Sequence, residues 1–201
     1  MKTKVCGVAD AEFAIAAARM GVDYLGFIFE PSSPRFVTPG EAAEISAAVA
    51  ASCGGTGRKV RLVGVFVSQT VGEILDIMRE AALDVVQLHR RASQGDVAAL
   101  KAAGHEVWTL AGGAQGDGVL FDSSHGDGES AFRRLRCKTI LAGRIGVDNL
   151  SEAVRLGPDV IDVNSSLETS PGRKSVHLLK EFLASVVGGP LPRKSRTDCR
   201  K

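Results

Sequence analysis

The stretch DVVQLHRRASQGDVAALKAAGHEVWTL, residues 84–110, decides the fold. It opens on a short run rich in β-branched residues (84–88), crosses a polar loop, and continues over 92–103 with apolar residues at helical spacing. Gly104 follows, suited to a left-handed C-terminal cap, and a second β-like run occupies 106–110. A strand, a helix and a strand in this order make a parallel pair joined by a right-handed crossover.

The same unit recurs on both sides. Strands are predicted at 4–6, 24–29, 62–67, 84–88, 106–110, 119–122, 139–141 and 160–163, and helices at 10–20, 39–51, 71–81, 92–103, 148–156 and 176–187. Thr38 before Pro39 reads as a helix start, Asp148 is placed as the first residue of its helix, and Gly21 and Gly157 repeat the cap of Gly104. Eight strands in sequence favour an α/β fold closed as a (β/α)8 TIM barrel over an open doubly wound sheet. The rhythm breaks twice. Too few residues separate Leu110 from Val119 for a crossover helix, so the fifth helix is expected to be reduced or absent, and only a short helical stretch (129–135) follows Asp122. Cys53-Gly-Gly-Thr-Gly57 resembles a phosphate loop but lies between a helix and a strand, and is read as a connector.

The 201 residues suit one domain, expected over 1–188, with a basic flexible tail at 189–201. A net charge of +2 leaves no nucleic-acid footprint, and 5% aromatic content argues against a stacking platform for single strands. Four scattered cysteines, with no CxxC pair and no histidine at ligand spacing, indicate neither a disulfide framework nor a metal site and fit a reduced, cytoplasmic compartment. There is no leader-like segment and no apolar run of membrane-spanning length. Charge and tail composition do not decide between monomer and homodimer.

In such a barrel the active site lies at the C-terminal ends of the strands. The polar residues placed there are Cys6, Arg35, His89, Asp122, Asp162 and Glu168. The loops after strands six to eight carry Gly126-Asp127-Gly128, Ala142-Gly143-Arg144 and Asn164-Ser165-Ser166. Small residues in the last barrel loops let backbone N–H groups approach an anion, which makes a small phosphorylated substrate the leading expectation.

At this point the chain resembles the phosphoribosylanthranilate isomerase family. The ordered motifs are KVCGV (4–8), LGFIFEPSSPRFVTP (25–39), VGVFV (63–67), DVVQLH (84–89), FD (121–122), LAG (141–143) and IDVNSSLETSPGRKS (161–175). The resemblance implies an Amadori rearrangement of an aminoaldose to an aminoketose without metal or cofactor. It implies Cys6 as the base, Asp122 as the acid, Arg35 at the anthranilate carboxylate, and His89 and Asp162 lining the substrate. Gly126, Gly128, Gly143, Arg144, Ser165 and Ser166 are the implied phosphate contacts, and Glu168 is expected to order its loop.

The chain departs from the family pattern at Arg90, Arg144, Leu167 and the thin 126–128 loop. Asp127 adds negative charge where phosphate is expected, and Arg144 could compensate or fill the site. Two rivals therefore stand beside this reading. One is a histidine-pathway or dual-specificity aminoaldose isomerase, although that family carries an aspartate where this chain has Cys6. The other is a non-catalytic barrel with drifted phosphate loops.

Overall fold

A computed structural model describes residues 1–53, 60–123, 132 and 135–188. Eight parallel strands close in sequence order: β1 (Lys2–Val5), β2 (Tyr24–Ile28), β3 (Arg61–Phe66), β4 (Val85–Leu88), β5 (Glu106–Leu110), β6 (Gly118–Asp122), β7 (Lys138–Ala142) and β8 (Val160–Val163), with β1 pairing β8. Helices α1 (Ala11–Arg19), α2 (Pro39–Cys53), α3 (Val71–Glu80), α4 (Gln94–Ala102), α5 (Leu150–Arg155) and α6 (Val176–Gly188) flank the barrel. No helix lies between β5 and β6, as the short spacing there predicts.

Side-chain caps mark where four of the helices start, and α5 is the exception. Asp10, Ser93 and Asn149 stand just ahead of α1, α4 and α5; the carboxylate of Asp10 accepts from Phe13 N at 2.7 Å and the hydroxyl of Ser93 from Asp96 N at 3.0 Å. Asn149 turns its side-chain oxygen to Gly146 N instead, and α5 begins at Leu150 rather than Asp148. Thr38 and Glu41 form reciprocal bonds across the first turn of α2, as Thr70 and Glu73 do for α3. Gly21, Gly104 and Gly157 all take positive φ behind their helices.

Register divides the core in two. Outward strand residues such as Val5, Phe27, Leu88, Phe121 and Ile161 pack beneath the helices. Their alternates, among them Tyr24, Val63, Trp108, Leu120 and Val160, fill the lumen. At the N-terminal end the lumen is closed by charge: Glu106 accepts from Trp108 Nε1 at 2.6 Å and Lys138 Nζ at 2.5 Å, and also pairs with Arg61. Lys138 lies 5.2 Å from the Trp108 ring centroid, and Tyr24 meets Trp108 edge-on.

Burial alone would raise the Glu106 pKa, but the Lys138, Arg61 and Trp108 hydrogen bonds bring it down to about 2. A carboxyl depressed on folding stabilises above its unfolded pKa, and that contribution is lost as pH falls toward the folded value. Glu106→Gln is therefore expected to cost about 2 kcal/mol at pH 7 and to flatten the fall in stability between roughly pH 4.5 and 2. Urea midpoints at pH 7 and pH 3 check this; an unchanged pH dependence in the variant would contradict it.

Candidate active site

Cys6 leaves β1 at the C-terminal mouth, its amide donating to Val163 O at 2.8 Å. Gly7 next to it has φ +68, and a Cβ there would lie 2.7 Å from Arg35 Cδ. The glycine is what lets the arginine cross the mouth.

Arg35 then meets Glu168 in a two-pronged pair, Nε to Oε1 at 2.8 Å and Nη2 to Oε2 at 2.7 Å. Glu168 starts a small hairpin, β9 (Glu168–Ser170) and β10 (Arg173–Lys174), which the sequence pattern does not reveal. At its tip Gly172 has φ +82, and a Cβ would sit 2.6 Å from Pro34 O. Lys174 Nζ donates to Asn164 O and Oδ1 and to Glu168 Oε1, at 3.0, 2.6 and 2.7 Å. The S-P-R and E-x-x-P-G-x-K motifs are thus one interlocked unit. Burial would raise the Glu168 pKa, yet Arg35 and Lys174 hold it at about 2.

On the opposite side of the mouth Asp122 ends β6, buried, with its Oδ2 3.5 Å from His89 Nε2. His89 Nδ1 lies 3.4 Å from Gln87 Nε2. With the Gln87 amide oriented this way its nitrogen can only donate, which leaves the ring proton on Nε2, facing Asp122.

Among the sequence-predicted phosphate residues, Gly143 and Arg144 follow β7 with φ of +97 and +54, and Ser165 and Ser166 follow β8 in a turn of 3-10 helix. Ser166 Oγ donates to Ile145 O at 2.6 Å and ties the two loops together. That hydroxyl proton is already committed, so Ser166 would meet an anion through its backbone N–H. Gly126 and Gly128 lie outside the described residues. A Cβ on Gly143 would fall 2.1 Å from Ser123 Oγ and 2.7 Å from Asp122 Oδ1. Gly143→Ala is expected to cost about 1–3 kcal/mol by pressing on Ser123 and Asp122. Denaturant midpoints check this; a variant with the wild-type midpoint would show that the close approach is immaterial.

Residues 3–185 match the family described as N-(5'phosphoribosyl)anthranilate (PRA) isomerase. The chain belongs to this family. The N-(5'-phosphoribosyl)anthranilate isomerase of Bacillus cereus strain AH820 is 36% identical over 205 residues, spanning 91% of this chain and 96% of the relative. The crystal structure of the Thermus thermophilus enzyme superimposes with a TM-score of 0.78 at 30% identity, covering 94% of this chain and 99% of that one. A phosphoribosylanthranilate isomerase solved in complex with reduced 1-(o-carboxyphenylamino)-1-deoxyribulose 5-phosphate matches with a TM-score of 0.75 at 25% identity, over 94% and 99% of the two chains.

Within this isomerase-family barrel, a lysine lies beneath the cysteine. Lys4, wholly buried, donates from Nζ to Asp162 Oδ2 at 2.6 Å, and Asp162 Oδ1 is buried with no hydrogen-bond partner. Burial favours a neutral Lys4, but Asp162 and Cys6 outweigh it and raise its pKa, keeping it charged. Burial pushes the Cys6 thiol up, with Lys4 and Lys174 pulling against it. Asp162 is likewise raised by burial, which Lys4 opposes.

Sequence reasoning places Cys6, Arg35, His89, Asp122, Asp162 and Glu168 at the mouth, and the structure brings all six there. It misses Lys4 and Gln87, although strand alternation carries the signal. Lys4 and Cys6 share a face of β1, and Gln87 and His89 share a face at the end of β4. Among the described residues no cluster of three metal-ligating side chains occurs, and no helix is long and apolar enough to cross a membrane.

Proposed function

We propose that this chain catalyses the Amadori rearrangement of N-(5-phosphoribosyl)anthranilate to 1-(o-carboxyphenylamino)-1-deoxyribulose 5-phosphate, an aldose–ketose isomerisation of tryptophan biosynthesis, with Cys6 as general base and Asp122 as general acid. The observation that carries the roles is the pairing of a buried thiol above a lysine–aspartate ion pair with a second buried carboxyl at the same mouth. Asp122 protonates the furanose ring oxygen, the C1–O bond breaks, and the nitrogen lone pair forms an iminium. The Cys6 thiolate then removes the C2 proton, giving an enolamine that tautomerises to the aminoketone. Every atom of the substrate is retained in the product, so the step balances without an oxidant or reductant.

Asp162 Oδ1, lacking a partner, accepts from the substrate amine. Arg35 meets the anthranilate carboxylate. Its Nε and one Nη2 proton are engaged by Glu168, which leaves the Nη1–Nη2 edge for the substrate. The arginine arrives already oriented by Glu168. The phosphate rests against Gly143, Ser165 and Ser166, with the exposed Arg144 as its cation. His89 acts through Asp122 rather than on the substrate. Residues 1–188 serve as one barrel domain, and free thiols at Cys6 and Cys137 suit the cytoplasm.

Steady-state turnover of freshly generated phosphoribosylanthranilate tests this reading. Turnover by the folded wild type supports it. A folded protein with neither turnover nor binding of a phosphorylated product analogue would return the non-catalytic barrel.

A further inference from the structure

We propose that Lys4 is a positioning residue whose ammonium, fixed by Asp162, is the counter-charge that stabilises the Cys6 thiolate as the base forms. The inference rests on Cys6 being the base. The two side chains share the lumen face of β1, one step apart. Gly26 on β2 makes room for both: a Cβ there would lie 3.1 Å from Cys6 Sγ and 3.2 Å from Lys4 Cε, so sulfur and lysine press on the same point.

Donor arithmetic singles out this lysine. The charged groups that face Cys6 are Lys4 on its own strand, Asp162 on β8, Lys174 on β10 and Arg35 after β2. Lys174 has three N–H donors and gives all three to Asn164 and Glu168, and Arg35 shares the same glutamate. Glu168 thus offsets part of the field of both, and Lys4 exerts the larger pull on the thiol. Lys4 gives one donor to Asp162, at 2.6 Å, and keeps others to direct at the sulfur. Its placement is not that of a structural filler, because a lysine wholly withdrawn from water is costly unless its charge is used. Asp162 prevents the ammonium from losing its proton to the thiolate, so the pair delivers a fixed positive charge and not a second base.

The test follows the pH dependence of Cys6 alkylation by iodoacetamide in the full chain, read by mass spectrometry on the peptide that carries Cys6, beside the pH profile of kcat/KM. Lys4→Met is expected to raise the alkylation midpoint by about 1–3 pH units, slowing the reaction at neutral pH by about tenfold or more, and to move the acid limb of kcat/KM by the same amount. Lys4→Arg, which keeps the charge, is expected to return most of that shift. Asp162→Asn, which keeps Lys4 and removes the competing carboxylate, is expected to move the midpoint down. A Lys4→Met protein that alkylates with the wild-type midpoint would reduce Lys4 to a lumen filler. Where that variant fails to fold, an Asp162→Asn midpoint that stays put or rises overturns the proposal equally. Failure of the underlying reading looks different: Cys6→Ser would then turn over normally, whatever the alkylation profiles do.

Discussion

Cys6→Ser is expected to lower kcat by about 10²- to 10⁴-fold with KM little changed. The thiol is nearly enclosed, so the isosteric hydroxyl fits without opening a cavity, and the variant should melt close to the wild type. What it loses is acidity. The cationic surroundings that partly offset the burial of a thiol cannot bring a serine hydroxyl to its alkoxide near neutrality. The effect falls on proton removal from C2 and not on binding, because Arg35 and the loops after β7 and β8, which the proposed function sets at the two ends of the substrate, are untouched. Steady-state kinetics with circular dichroism as the folding control checks this. A folded variant within tenfold of the wild-type kcat would remove Cys6 from the base's role.

Much of this arrangement is legible in the sequence because it is written in periodicity. The recurring strand–helix unit gives eight strands and a missing fifth helix, since spacing alone limits what can cross between Leu110 and Val119. Cys6, His89, Asp122 and Asp162 are found by asking which polar residues end strands. Arg35 follows from its proline-led loop. Two things escape that logic. The 168–174 hairpin has strands too short to carry a pattern, and it is held by contacts more than a hundred residues apart, Arg35 to Glu168 and Pro34 to Gly172. Lys4 escapes for the opposite reason. A lysine in an apolar strand reads as a solvated edge residue, and only closure of β1 on β8, which sets Lys4 against Asp162, reveals a buried ion pair.

Asp122→Asn is expected to match the cysteine variant in size, about 10²- to 10⁴-fold in kcat, for a different reason. The amide keeps the shape of the carboxyl and can still meet His89, so the mouth should not collapse. It has no proton to give to the ring oxygen. Asp162 shares the mouth closely enough for its charge and that of Asp122 to act on each other. The double variant separates a shared machine from two independent aids. Acid and base act in consecutive steps on one substrate, so Cys6→Ser combined with Asp122→Asn should fall little below the worse single variant, as residues acting as a unit do. Fully multiplicative losses would mean that the two groups serve separate tasks. An Asp122→Asn enzyme that keeps its rate would move the general acid to another residue at the mouth.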